Sequence, residues 1–361
     1  MAHDLVDGSL ATSRRRFLSA TGVTGAALGL GLWRSGAAHA ADPAASVAAA
    51  AAAVAGGGGG AGGTTFVDGV FAFTIDGAAA GFSRGVDGGA IAGEVIVEPV
   101  GPDGIARKHI GNVKYEDFAI QAGFGMSKAF YSWIKDSFDG VAPRHTLSAQ
   151  TLDGKLAVAS EQQFVDALIT EVGIPACDGS AKDPAYMTIT FAPESTHAVG
   201  PSPKSPGAPP KDRQKTWLPA NFKLTIGDLP CSRVNKIEAI VVKQKIVENA
   251  VGSTRDYEKE PTHLEVPNLV ITFPEAQSKA FYDWHEDFVI KGNNGPEAEK
   301  QGQLTLLSLD RKQELATISF TNLGIFKLTP EKVESHSDTI RRVKAEMYCE
   351  EIKFEYKAIW A

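Results

Sequence analysis

Cysteine is scarce: the 361 residues hold three, Cys177, Cys231 and Cys349. An odd number at wide spacing excludes a disulfide framework and fits no zinc-ligand pattern. Buried free thiols are the plain reading, and a single Cys177–Cys231 bridge is the alternative that an oxidising compartment leaves open. Histidine is as thinly spread. His109, His145, His197, His263, His285 and His336 form no i, i+4 pair and no Cys-His knuckle. His285 beside Glu286 is accounted for by the solvated face of a helix, so the sequence implies no metal and no cofactor. Long apolar runs are missing beyond the first forty residues, and no later segment is suited to a transmembrane helix. Positive charge is in deficit too: the net charge of −7 excludes holding nucleic acid by the overall field. With 43% hydrophobic and 22% charged residues, the chain can nevertheless bury a sizeable core, which excludes global disorder.

What is present begins at the N-terminus. Ser13-Arg14-Arg15-Arg16-Phe17-Leu18 precedes a mildly apolar run of 14 residues from Ala20 to Trp33, diluted by glycines. The run is short of the roughly 20 residues that a span needs. The Arg14-Arg15 pair with this weakly apolar region resembles a twin-arginine export signal. Ala38-His39-Ala40 places small residues where a signal peptidase reads, which predicts cleavage after Ala40. The mature chain loses four arginines against two aspartates, which takes its net charge from −7 to −9. The expected location is periplasmic or extracellular.

Composition then divides the chain. Residues 44–55 are almost all alanine and 56–63 glycine apart from Ala61, with no apolar face to bury, so 41–66 read as a flexible spacer. No Lys-Ser or Lys-Thr follows the glycines, so a phosphate loop is excluded. Residues 200–219 are dense in proline, which favours an extended connection and marks a boundary. The segments on either side, 67–199 and 220–361, are related at an offset of 151. That offset places Phe71, Phe73 and Ile75 on Phe222, Leu224 and Ile226. It also superposes Ser127-Lys128-Ala129-Phe130-Tyr131-Ser132-Trp133 on Ser278-Lys279-Ala280-Phe281-Tyr282-Asp283-Trp284, six identities in seven positions. The expectation is a tandem duplication of one domain.

Within each copy the apolar periodicity is mostly that of strands. Alternation predicts strands at Phe71–Ile75 and Phe222–Ile226. Further runs fall at Glu94–Glu98, Lys114–Gln121, Lys155–Ala159 and Met187–Ala192, and at Glu238–Glu248, Asn268–Phe273, Gln303–Leu309, Glu314–Phe320 and Ala345–Tyr356. The shared aromatic segment is the exception. Phe130, Trp133, Ile134 and Phe138, like Phe281, Trp284 and Phe288, recur at helical spacings, with Ser127 and Ser278 as candidate N-caps and Pro274-Glu275 favouring an earlier start in the second copy. The fold class is therefore mainly β with one helix per domain, in two tandem β-sandwich or β-barrel domains. The aromatics Phe130, Trp133, Phe281 and Trp284 form the expected repeat core. Carbohydrate stacking is the alternative role for the tryptophans.

One catalytic pattern needs weighing. Gly81-Phe82-Ser83-Arg84-Gly85 matches the G-x-S-x-G elbow of serine hydrolases, with Asp139 and His145 downstream in the order an α/β hydrolase uses. The elbow requires a strand turning into a helix, whereas Val86-Asp87-Gly88-Gly89 breaks one, and the second copy has Ser232-Arg233-Val234-Asn235-Lys236 at the matching place. The expectation is that the protein is not an enzyme.

The order of features carries a further resemblance. An F-x-F-x-I-D-G strand and turn are followed by strands ending near Glu98, a basic return at Arg107-Lys108-His109, a strand around Phe118 and the helix Lys128-Ala129-Phe130-Tyr131-Ser132-Trp133-Ile134. In this it resembles the tail-tube proteins of contractile phage tails, over about residues 70–195 and more weakly over 220–357. That resemblance implies a structural protein whose domains join through their strands into hexameric rings and stacked tubes. Three two-domain chains would close a pseudo-hexamer. The implied partners are further copies of the chain and other tail-like components. An unpaired edge is a template for strand addition, so Val95, Val97, Val241, Val242 and Ile246 are the expected assembly residues. A monomeric or small-oligomer binding module on the same fold is the alternative.

Overall fold

The computed structural model describes residues 70–203, 205–206, 217–250, 257–332 and 340–357. The expected export signal with its Ala40 cleavage site, the expected Ala/Gly spacer and the middle of the proline-rich stretch lie outside the described residues. In the first half, β1 (Val70–Ile75), β2 (Ala78–Ser83), β3 (Gly85–Gly88), β4 (Ile91–Val97), β5 (Lys108–Tyr115) and β6 (Phe118–Ala122) precede helix α1 (Lys128–Phe138). After it come β7 (His145–Leu152), β8 (Val158–Ile174), β9 (Cys177–Asp178), β10 (Met187–Ala192) and β11 (Ser195–Val199). The second half runs β12 (Phe222–Ile226), β13 (Lys236–Ile237), β14 (Ile240–Ala250), β15 (Tyr257–Glu265), β16 (Leu269–Pro274), helix α2 (Lys279–His285), β17 (Lys300–Leu307), β18 (Glu314–Pro330), β19 (Arg342–Tyr348) and β20 (Glu351–Tyr356).

The fold is mainly β. Strand order is β1-β7-β8-β10-β6-β3 in the first half and β12-β17-β18-β19-β16-β13 in the second, with β11 on β8 and β20 on β18 in the same relation. Each half is a barrel-like sandwich built around one long strand. The 17 residues of β8 pair with β7 and β11 along the first part and with β10 along the rest, so the strand passes from one layer to the other. The change of layer coincides with a positive φ at Asp166 (49°), and β18 repeats it at Asn322 (56°). Asp and Asn tolerate that left-handed conformation better than other side chains with a Cβ, so a bend can be placed there at low cost.

Aromatic packing fills the space between the layers. In the first half Phe118 stacks on Phe164 at 4.2 Å, and Trp133 lies 5.0 Å from Phe191. Ser127 caps α1, accepting a hydrogen bond from the Phe130 N–H. A 3-10 turn at Glu275–Gln277 precedes α2, so Ser278 makes no side-chain cap and its hydroxyl donates instead to the Glu275 carbonyl. Both tryptophans tie their helix to the segment leading into the next strand. The Trp133 Nε1–H donates to the Pro143 carbonyl at 2.9 Å and that of Trp284 to the Ala298 carbonyl at 3.2 Å. The His145 ring meets Trp133 edge-on, and the Lys300 ammonium sits 5.4 Å over Trp284.

Several expected strands differ in extent. Lys114–Gln121 is broken at Glu116-Asp117 into β5 and β6, and Ala345–Tyr356 is broken at Cys349-Glu350 into β19 and β20. Both breaks are places where the chain turns to change partner. Lys155–Ala159 is only the approach to β8, whose polar first part, Ser160-Glu161-Gln162-Gln163, hides its strand character. Within the proline-rich segment, Trp217 is 1% exposed, packs edge-on against Phe124 and bridges to Ala185, so that segment is pinned into the core at its end.

Replacing Trp133 by alanine removes a large buried ring and a hydrogen bond, and should cost about 3–5 kcal/mol of stability. Denaturant unfolding of residues 41–361 checks this. One shared transition, lowered by both Trp133→Ala and Trp284→Ala, is the expected outcome because the halves share sheets.

Candidate assembly surface

The two halves meet by strand addition. In β14, Ile240, Val241, Val242 and Lys243 pair antiparallel with Ile174, Gly173, Val172 and Glu171 of β8, on the side of β8 opposite β10. Ile240, Val242, Val172 and Ile174 are each at most 3% exposed. Full burial of a Val or Ile side chain is worth roughly 1.5–3 kcal/mol. The Lys243 ammonium closes this ladder on the Glu171 carboxylate at 3.1 Å. A second, short ladder joins β13 to β9. Helix α1 rests on β20, with Tyr131 stacked on Tyr356 at 3.8 Å and Phe138 5.9 Å from Phe354. The void left between α1, β8 and the β14–β15 hairpin is only about 10 Å³.

Lys259 locks the far end of that hairpin. Its side chain is 5% exposed, and its ammonium donates to the Tyr115 carbonyl at 3.3 Å with Asp117 at 3.7 Å and Glu248 at 4.0 Å. Its backbone is held from the first half as well: the amide donates to Glu194 and the carbonyl accepts from Arg144, which itself pairs with Glu194. Burial raises the Asp117 carboxyl above its ordinary range, and the Lys259 charge partly offsets this. A buried ammonium is tolerated only with such partners.

Of the expected assembly residues, Val241 and Val242 lie in this ladder, and Ile246 pairs with Pro261 of β15. Their neighbour is thus a strand of the same chain, a relation that spacing along the sequence does not disclose. Val95 and Val97 have a different setting. Among the described residues they belong to a two-stranded sheet of β4 and β5, where Ile91, Val95, Val97 and Ile110 are 52–59% exposed. By the offset of 151, β4 occupies the place in the first half that β14 occupies in the second. On the other side, Tyr282, Val289 and Phe326 are exposed in the second half where Tyr131 and Phe138 are buried in the first.

The catalytic pattern is not assembled. Ser83 lies within β2 and is 8% exposed; its hydroxyl hydrogen-bonds the Gly85 and Gln121 carbonyls at 2.6 and 2.8 Å. Asp139 ends α1 and pairs with Lys135, while His145 bonds Asp76 at 2.6 Å. The three cysteines are free and buried, and burial pushes their thiols up, Cys177 to about 12 and Cys231 and Cys349 to about 11, which leaves them poor nucleophiles. Among the described residues there is no cluster of His, Cys, Asp and Glu fit to hold a metal, and no helix long and apolar enough to cross a membrane.

No protein-family model matches the chain, and no curated protein does. Among solved structures it is similar to the tube-terminating cap of the anti-feeding prophage, at 17% identity and a TM-score of 0.33, covering 38% of this chain and 89% of that one. It is similar to a chain of the PVC extracellular contractile injection system in its extended sheath–tube complex, at 16% identity and a TM-score of 0.31, covering 38% and 89%. It is also similar to Hcp1 from Flavobacterium johnsoniae, at 15% identity and a TM-score of 0.23, covering 38% and 95%.

Proposed function

We propose that the protein is an exported structural component, a tandem duplication of a tube-type domain that self-assembles into rings or tubes, and that it acts without catalysis. The observation that carries this reading is the β14–β8 ladder. One half already uses its hairpin to extend the sheet of the other, and the corresponding hairpin of the first half has no such strand beside it among the described residues. The common strand order and the paired left-handed turns support the duplication. An exposed apolar hairpin is an aggregation hazard unless it is covered, so closed assembly is the economical solution. Three chains of two domains close a pseudo-hexameric ring, and further tail-like components would cap or surround it.

Export through the twin-arginine route suits a chain whose halves must fold together before either seam exists. Placing lysine at both Arg14 and Arg15 should leave full-length precursor in the cytoplasm, which cell fractionation with an antibody to the mature chain checks. Light scattering of residues 41–361 should give a mass of three chains or a larger multiple, with rings of threefold or sixfold appearance in negative stain. A strict monomer at high concentration would point instead to a binding module.

A further inference from the structure

Residues 158–174 of β8 correspond to 314–330 of β18 at an offset of 156, because β18 repeats the pairing of β8 with its neighbours position by position. Leu168 faces Ala192 as Gly324 faces Tyr348, and Glu171 faces Thr190 as Lys327 faces Glu346. The edge of β8 that takes β14 therefore has its counterpart at Lys327, Leu328 and Thr329. In the described fold that edge of β18 carries no strand. Val172 is 2% exposed beneath β14, whereas Leu328 is half-buried and Phe326 beside it is 39% exposed.

We infer that the β4–β5 hairpin of one molecule adds to β18 of a second copy of this chain, antiparallel, with Ile91 opposite Leu328 and Ala92 opposite Lys327. The inference rests on the assembly reading above and deepens it by naming the register and the partner strand. Transferring the ladder residue by residue gives these pairs: Val242 opposite Val172 becomes Ile91 opposite Leu328, and Lys243 opposite Glu171 becomes Ala92 opposite Lys327. Lys259, whose amide donates to Glu194 and whose carbonyl accepts from Arg144, corresponds to Lys108. The position matching Glu194 is Glu350, again a carboxylate able to accept from that amide, and the position matching Arg144 is Glu299. Glu299 accepts the Tyr348 hydroxyl at 2.6 Å and Glu350 the Asn322 amide at 2.7 Å, so both carboxylates are fixed in place. The contact is head-to-tail, hence heterologous, and repeats until the ring closes.

Paired residues on antiparallel strands have Cα atoms about 4.5–5.5 Å apart, within reach of a disulfide. One preparation of residues 41–361 carries Ala92→Cys alone and a second carries Lys327→Cys alone; both are mixed at assembling concentration and mildly oxidised. The expected result is a covalent dimer, a band at twice the chain mass on a non-reducing gel, lost when Leu328→Cys replaces Lys327→Cys because the side chain then faces the other way. Each variant stands alone in its chain, at a half-buried (Ala92, Leu328) or exposed (Lys327) position, and light scattering of each checks that it still assembles. Assembly without the Ala92–Lys327 crosslink, or with equal crosslinking of both pairs, overturns the proposed register and leaves the assembly reading standing. A monomer at every concentration, with no crosslink, overturns both.

Discussion

Backbone hydrogen bonding between β14 and β8 is the constraint on which the rest of the molecule depends. A strand edge cannot be left bare over an apolar face without inviting another strand. Here the second half supplies that strand, and the side chains follow: Val242 covers Val172 and Ile174, α1 seats on β20, and Lys259 is drawn into a notch of Asp117, Glu248 and the Tyr115 carbonyl. Apolar packing continues from one half into the other without a break.

The same geometry accounts for the uneven surface. Residues that are buried at the internal joint have exposed relatives elsewhere: Tyr131 and Tyr282, Phe138 and Val289, Val242 and Ile91. Such exposure carries a cost in solubility that a monomer would gain by removing. The corresponding positions differ in charge as well. An Arg144–Glu194 pair braces the internal joint, whereas Glu299 and Glu350 take those places in the second half. In the proposed assembly, that difference would let a chain tell its own internal seam from the seam with a neighbour.

Much of the fold was legible in the sequence because the signals were local. Alternation in Phe71-Phe73-Ile75 and the three-and-four spacing of Phe130, Trp133 and Ile134 are set by contacts within one element, and those elements stand where expected. What was not legible depends on partners distant in sequence. The polar start of β8 and the whole of β15, with Glu258, Lys259, Glu260 and Pro261, carry weak strand propensity and are held by pairing on neighbours. Trp217 sits among prolines and gives no periodic signal, yet it is core. For the candidate surface, the sequence identified strands with apolar edges; only the fold separates Val242, whose partner lies in the same chain, from Ile91, Val95 and Val97, which stand free of the main sheets.

Amide hydrogen exchange followed across a dilution series tests strand addition most directly, because it reads each ladder separately. Amides bonded in the ladder between Ile240–Lys243 and Glu171–Ile174 should be protected at every concentration, while those of Ile91 and Leu328, which point away from β5 and β19, should exchange quickly when dilute and become protected as concentration rises. Fast exchange at Ile91 and Leu328 at all concentrations would contradict strand addition between chains.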